Sequence, residues 1–105
     1  MRIPRKFRLK GKLWKVTMVK NLKDDGETIF GLCDTDKRMI FIEENQSDEK
    51  RFSTFLHELC HAMIFESHVP EETIFTNAIE EIFCNCFEDL LTHDFEITLK
   101  EKFND

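Results

Sequence analysis

Tyrosine is absent from the 105-residue sequence, and glycine and proline are scarce, at three and two residues. So little glycine and proline excludes collagen-like and low-complexity chains. No apolar run approaches the roughly 20 residues that a bilayer-spanning helix needs, so no membrane association is expected. Met1-Arg2-Ile3-Pro4-Arg5-Lys6 is basic, but alternating charge follows it instead of an apolar core, so no secretory signal is expected. The cysteines are Cys33, Cys60, Cys84 and Cys86, with no C-x-x-C pair among them. Reduced thiols in a cytoplasmic protein are the expectation.

What is present is phenylalanine and charge. Eleven Phe and one Trp supply large apolar area, and 41% hydrophobic with 34% charged residues is the balance of a folded globular chain. With no linker or internal repeat, one domain over residues 1–105 is expected. The net charge of -6 hides an asymmetry: residues 2–23 hold nine Lys or Arg and no acid, so the remaining six cations and 21 acids leave a body of -15. A basic arm can hold nucleic acid by counterion release. Here the cations alternate with apolar residues, which fits a solvated strand face better than a basic tract.

Phe7, Leu9 and Leu13 to Val19 alternate with Lys and Arg, which predicts two strands with a tight turn at Gly11. Asn21 to Glu27, with Asp24-Asp25-Gly26, predicts a loop or turn. Thr28-Ile29-Phe30 and Met39-Ile40-Phe41-Ile42 predict two further strands joined through residues 33–37, giving a small antiparallel sheet. The period then changes. Phe52, Phe55, Leu56, Leu59 and Met63 predict a helix from Asp48 to about Ser67. Val69-Pro70 breaks it. A second helix is expected from Pro70, with Glu71 and Glu72 in its first turn. Ile79, Phe83, Phe87, Leu90 and Leu91 form its apolar face to about Thr92, and His93-Asp94 ends it. Phe95 to Phe103 has no assignable pattern. The fold class is α+β: a small sheet followed by two long helices.

Residues 57–61 read His57-Glu58-Leu59-Cys60-His61, an H-E-x-x-H motif on the first helix. Positions i and i+4 share a helix face, so two imidazoles can reach one metal ion. Glu58 lies about 100° round from His57, beside that ion, where a carboxylate can take a proton from activated water. A zinc hydrolase needs a third protein ligand and an open fourth position. Glu81, on a stripe with Asn77 and Asn85, is the favoured third ligand for zinc. Glu80 is the next candidate, and Glu71, Glu72, Glu88 and His68 remain as others.

The stretch from about Gly31 to Leu91 resembles the zincin metallopeptidases, and within them the small phage- and prophage-type enzymes of the ImmA/IrrE group. The matching residues are Gly31-x-Cys33-Asp34, Lys37-Arg38-x-Ile40-x-Ile42, Phe55-Leu56-His57-Glu58-Leu59-Cys60-His61-Ala62, and Glu81-x-x-Cys84-Asn85-x-Phe87. The resemblance implies a sheet whose edge strand lines a cleft backed by the H-E-x-x-H helix. It implies zinc held by His57, His61 and Glu81, with Glu58 as general base. It implies a protein substrate, often a transcriptional repressor. Two departures stand out. Cys84 replaces the group's alanine, and without tyrosine no phenol can stabilise an oxyanion, which leaves zinc itself, His68, His93 or Arg51.

The expected function is a zinc-dependent endopeptidase acting on a protein or peptide. The alternatives are a non-catalytic module whose basic arm contacts nucleic acid or an acidic protein, and a purely structural zinc site. Cys60 and the Cys84-x-Cys86 pair are expected to be buried structural thiols. Met39 to Ile42 could be a sheet edge that captures a peptide by strand addition, or an interior strand.

Overall fold

The structure is a computed structural model that describes residues 3–67 and 77–94, with side chains to residue 91. The expected start of the second helix at Pro70, Glu71 and Glu72, and the Phe95 to Phe103 segment, lie outside the described residues. The described elements are β1 (Lys6–Leu9), β2 (Lys12–Val19), β3 (Lys23–Asp24), β4 (Glu27–Thr28), β5 (Gly31–Asp34), β6 (Met39–Glu43), α1 (Asp48–Glu66) and α2 (Asn77–Asp94). The α+β class and the order of sheet then helices agree with the sequence pattern.

Turn chemistry sets the strand ends. Lys10 and Gly11 both have positive φ, 50° and 77°, closing the β1–β2 hairpin at the expected glycine. Asp25 and Gly26, at 52° and 80°, close a second, two-stranded ribbon that pairs Lys23 with Thr28. That ribbon ends the strand expected over Thr28 to Phe30. The sheet strand instead begins at Gly31 and includes Cys33 and Asp34, expected in the connection. Asp34 Oδ1 accepts the Lys37 N–H at 3.1 Å and shapes the turn into β6.

The main sheet runs β1-β2-β6-β5. Its outer pairs are antiparallel, but the central β2–β6 pair is parallel, with Val16 opposite Ile40. This corrects the expectation of an all-antiparallel sheet. The long segment 20–38 crosses over instead of turning tightly, so β6 re-enters in the direction of β2. β6 is therefore interior and β5 is an edge.

One sheet face meets the helices. Trp14, Ile40 and Ile42 are buried against Phe52, Phe55, Leu56 and Ala62. Phe7 stacks on Trp14 and meets Phe55 edge-on, both at 6.1 Å between centroids. Each such side chain contributes roughly 1.5–3 kcal/mol by burial. Ser47 caps α1, its hydroxyl accepting the Lys50 N–H at 3.1 Å. The core stripe of α1 departs from expectation at Met63, which is 42% exposed, while Glu66 is 3% exposed. The helix closes on the sheet through a polar contact: the Trp14 indole N–H donates to Glu66 Oε2 at 2.8 Å, and Arg38 Nε donates to the same oxygen at 2.8 Å.

The basic residues from Arg5 to Lys23 are all exposed on or beside the β1–β2 hairpin, and among the described residues none makes an ion pair. No helix among the described residues is long and apolar enough to cross a membrane.

Glu43 ties the crossover down. Its carboxylate accepts the Asn45 N–H at 2.9 Å and the Leu22 N–H at 2.6 Å. These two amides, Asn45 first, hold its carboxyl below the usual carboxylate range. The stabilisation is complete above that range and is lost as pH falls through the lowered value. Urea midpoints of wild type and Glu43→Gln should therefore differ most near pH 7 and converge in acid. A gap that does not change with pH would exclude this role for the charge.

Candidate metal centre

The exposed-looking flank of α1 is covered from two sides. His57 and His61, one turn apart, place their ring centroids 5.0 Å from each other. Glu58 turns toward β5 and is 9% exposed. Helix α2 crosses the same flank. Cys60 of α1 and Cys84 of α2, 1% and 0% exposed, meet at this contact. Small side chains there let the two helices approach closely. This is also why Phe83, expected in the core, is 52% exposed: Cys84 takes the inward position, with half-buried Phe87 and Leu91 following it. All four cysteines are free thiols; Cys86 is exposed instead of buried.

The approach brings three glutamates of α2 to the two imidazoles. Glu81 lies between them, its carboxylate 3.2 Å from His57 Nε2 and 2.9 Å from His61 Nε2. His57, His61 and Glu81 each offer one ligand atom within 4.8 Å of the others. Glu80, the second candidate ligand, sits on the other ring nitrogen of His61, 2.5 Å from Nδ1. Glu88 sits likewise on His57 Nδ1 at 3.3 Å. His68, Glu71, Glu72 and the His93 side chain lie outside the described residues. Asn77 and Asn85 are exposed, and among the described residues neither hydrogen-bonds Glu81. Arg51 is engaged elsewhere, with the Glu44 carbonyl at 2.8 Å and with Asp48.

This donor set has a definite chemistry. Glu80 on His61 Nδ1, the shortest of these contacts, favours the proton there, which leaves a lone pair on that ring's Nε2. Both Nε2 atoms face the Glu81 carboxylate, an arrangement that can share a proton or surround a metal cation. Two imidazole nitrogens and one carboxylate oxygen form the His₂Glu set that suits zinc. Burial by itself would lower the His61 pKa. The Glu80 hydrogen bond and the charges of Glu58 and Glu81 outweigh it, so the value is raised. Burial pushes the Glu58 carboxyl up; His57 and His61 oppose this, and Glu81 and Glu88 reinforce it.

A cleft opens on each side of Glu58. One cavity of about 460 Å³ is lined by Cys33, His61, Glu80 and Glu81 among others, and one of about 240 Å³ by Phe30, Thr54, His57 and Glu88; Gly31 and Glu58 line both. The β5 edge runs past this waist. The Glu43 N–H donates to the Phe30 carbonyl at 2.8 Å, so Phe30 and Glu43 form a hydrogen-bonded antiparallel pair. By alternation the amide groups of Gly31 and Cys33 face the free edge. Burial, with Glu58 and Glu80 nearby, pushes the Cys33 thiol up to about 12, so it stays protonated.

A two-layer α+β fold with the H-E-x-x-H histidines facing a glutamate of the following helix is the arrangement of a metallopeptidase-type domain. A family model described as Peptidase M78, IrrE N-terminal-like domain, matches residues 16–102. The chain belongs to that family, as the motif resemblance implied. No curated protein and no solved structure matches the chain significantly.

Reading the sequence offered Glu80 and Glu88 only as alternative third ligands, and gave Gly31 no role beyond its place in the motif resemblance. One signal was available: Glu81 and Glu88, seven residues apart, share a helix face. A Cβ built on Gly31 would lie 2.5 Å from Thr54 Cγ2 and 3.0 Å from Glu58 Cγ. Gly31→Ala should therefore cost about 1–3 kcal/mol by overpacking, and Thr54→Ser, which removes that methyl, should restore part of it. Thermal melts of the two single variants and the double variant test this. Strictly additive losses would show that the two sites do not touch.

Proposed function

We propose that this domain is a zinc-dependent endopeptidase in which His57, His61 and Glu81 hold the metal and Glu58 is the general base. The observation that supports it best is the convergence of three candidate ligand atoms beside a buried glutamate at a free sheet edge. Zinc bound there would supply Lewis acidity, polarising a peptide carbonyl and drawing the pKa of water toward about 7. The chain's own residues do the rest. The outward amides of Gly31 and Cys33 pair with an extended substrate, adding it as a strand to β5. The missing side chain of Gly31 lets that strand pass close to Glu58. Glu58, with its carboxyl raised by burial, takes a proton from the attacking water and returns it to the leaving amine. The substrate is a protein or peptide in extended form.

Glu58→Gln should keep stoichiometric zinc and lose about 10²- to 10⁴-fold in peptide cleavage, whereas Glu81→Ala should lose the metal. Metal content by mass spectrometry and cleavage of an unfolded protein substrate read both. Cleavage retained by Glu58→Gln would sink the mechanism.

A second reading concerns the β1–β2 hairpin. Lys6 lies directly opposite Lys15, a repulsive cross-strand pair, and the cations around it are exposed. That arrangement favours a polyanion such as nucleic acid on this face. Filter binding to duplex DNA across a salt series should then weaken linearly on a log–log plot; absence of any salt-dependent binding would leave the hairpin with a structural role alone.

A further inference from the structure

We propose that Glu80 and Glu88 are positioning residues, each holding one of the paired histidines by its Nδ1 so that both Nε2 atoms face Glu81. The consequence for metal affinity rests on the zinc reading above; the orientation itself does not. A neutral imidazole donates from one nitrogen and accepts at the other, and its hydrogen-bond partner decides which. An ionised carboxylate only accepts. Glu81 also meets both Nε2 atoms, at 3.2 and 2.9 Å, so distance decides: Glu80 Oε2 at 2.5 Å from His61 Nδ1 is the closer partner and favours the proton there, whereas Glu88 Oε1, 3.3 Å from His57 Nδ1, makes an ion-pair contact that fixes the direction of that ring.

The same helix delivers all three carboxylates. Glu80, Glu81 and Glu88 lie on one side of α2, so its docking presents the candidate third ligand and both orienting groups together. Glu88 is itself held: the Ser53 hydroxyl donates to its Oε2. Ser53 lies one turn before His57, so the Ser53–Glu88–His57 chain leaves α1 and returns to it. The side chains of Glu80 and Glu88 are similarly exposed, 28% and 29%, so distance separates them. The shorter contact gives Glu80 the larger effect.

The test uses the full chain. Zinc affinity is measured by competition with a chromophoric chelator, and imidazole tautomers by nitrogen-15 NMR of the metal-free protein at a pH where the rings are neutral. Glu80→Gln, the same shape without the charge, should weaken zinc about 10- to 100-fold while keeping one zinc per chain. Glu88→Gln should weaken it less. Glu80→Ala should also release His61 from the Nδ1–H tautomer, with helicity by circular dichroism unchanged. Should Glu80→Ala not fold, Glu80→Gln and Glu88→Gln carry the affinity comparison. Wild-type affinity in both Gln variants, or an unchanged His61 tautomer in Glu80→Ala, would overturn the proposal. Failure of the zinc reading looks different: wild type takes up no zinc, or Glu81→Ala binds as well as wild type, and the His61 tautomer still decides the positioning.

Discussion

A buried indole N–H and a buried carboxylate, each costly alone, settle where α1 lies on the sheet. Trp14 is fully enclosed and Glu66 nearly so, and an unpaired buried polar group costs about 1–3 kcal/mol. Their mutual hydrogen bond admits little sliding of the helix along the strands. Arg38 adds a charge-assisted bond to the same carboxylate from the turn between β5 and β6, where its own φ is positive. Three elements distant in sequence thus meet at one oxygen. With the C-terminal end of α1 pinned there, Glu58, about two turns earlier, comes against β5.

That placement explains the rest of the site. β5 can lie against Glu58 only because residue 31 has no side chain to obstruct it. α2 can lie against His57 and His61 because Cys60 and Cys84, and not larger residues, occupy the helix contact. A thiol at Cys84 acts there as a small buried group. The cleft is therefore defined by close approaches on two sides: one backbone without a side chain, and one pair of small thiols.

Much of this was legible in the sequence, for identifiable reasons. The i, i+4 histidines, the boundaries of α1 and the turn at Gly11 each follow from local periodicity or local backbone chemistry. The parallel β2–β6 pair did not, because a period of two shows that a strand exists and not which neighbour it takes. Glu66 reads as a surface acid at the end of a helix; only the buried Trp14 opposite it makes it a core residue. Phe83 reads as core, yet the neighbouring Cys84 is the side chain that faces inward. For the glutamates, a helical wheel places Glu80, Glu81 and Glu88 near the site, but which imidazole nitrogen each one meets depends on how closely α2 docks.

The distribution of burial within the site has its own logic. Glu58 is buried while the Glu81 side chain is 53% exposed. Charge repulsion between Glu58, Glu80, Glu81 and Glu88 would be severe if all four were enclosed in a low dielectric. Leaving Glu81 toward water screens that repulsion and keeps an approach open for a cation. Burying Glu58 serves the opposite end, since desolvation raises its pKa toward the range useful to a base. A carboxylate that is to hold a metal benefits from remaining ionised, and one that is to shuttle a proton benefits from a raised pKa. Under the function proposed above, these demands fall on different helices: the exposed carboxylate comes from α2, and the buried one from α1, on the side that faces the sheet edge.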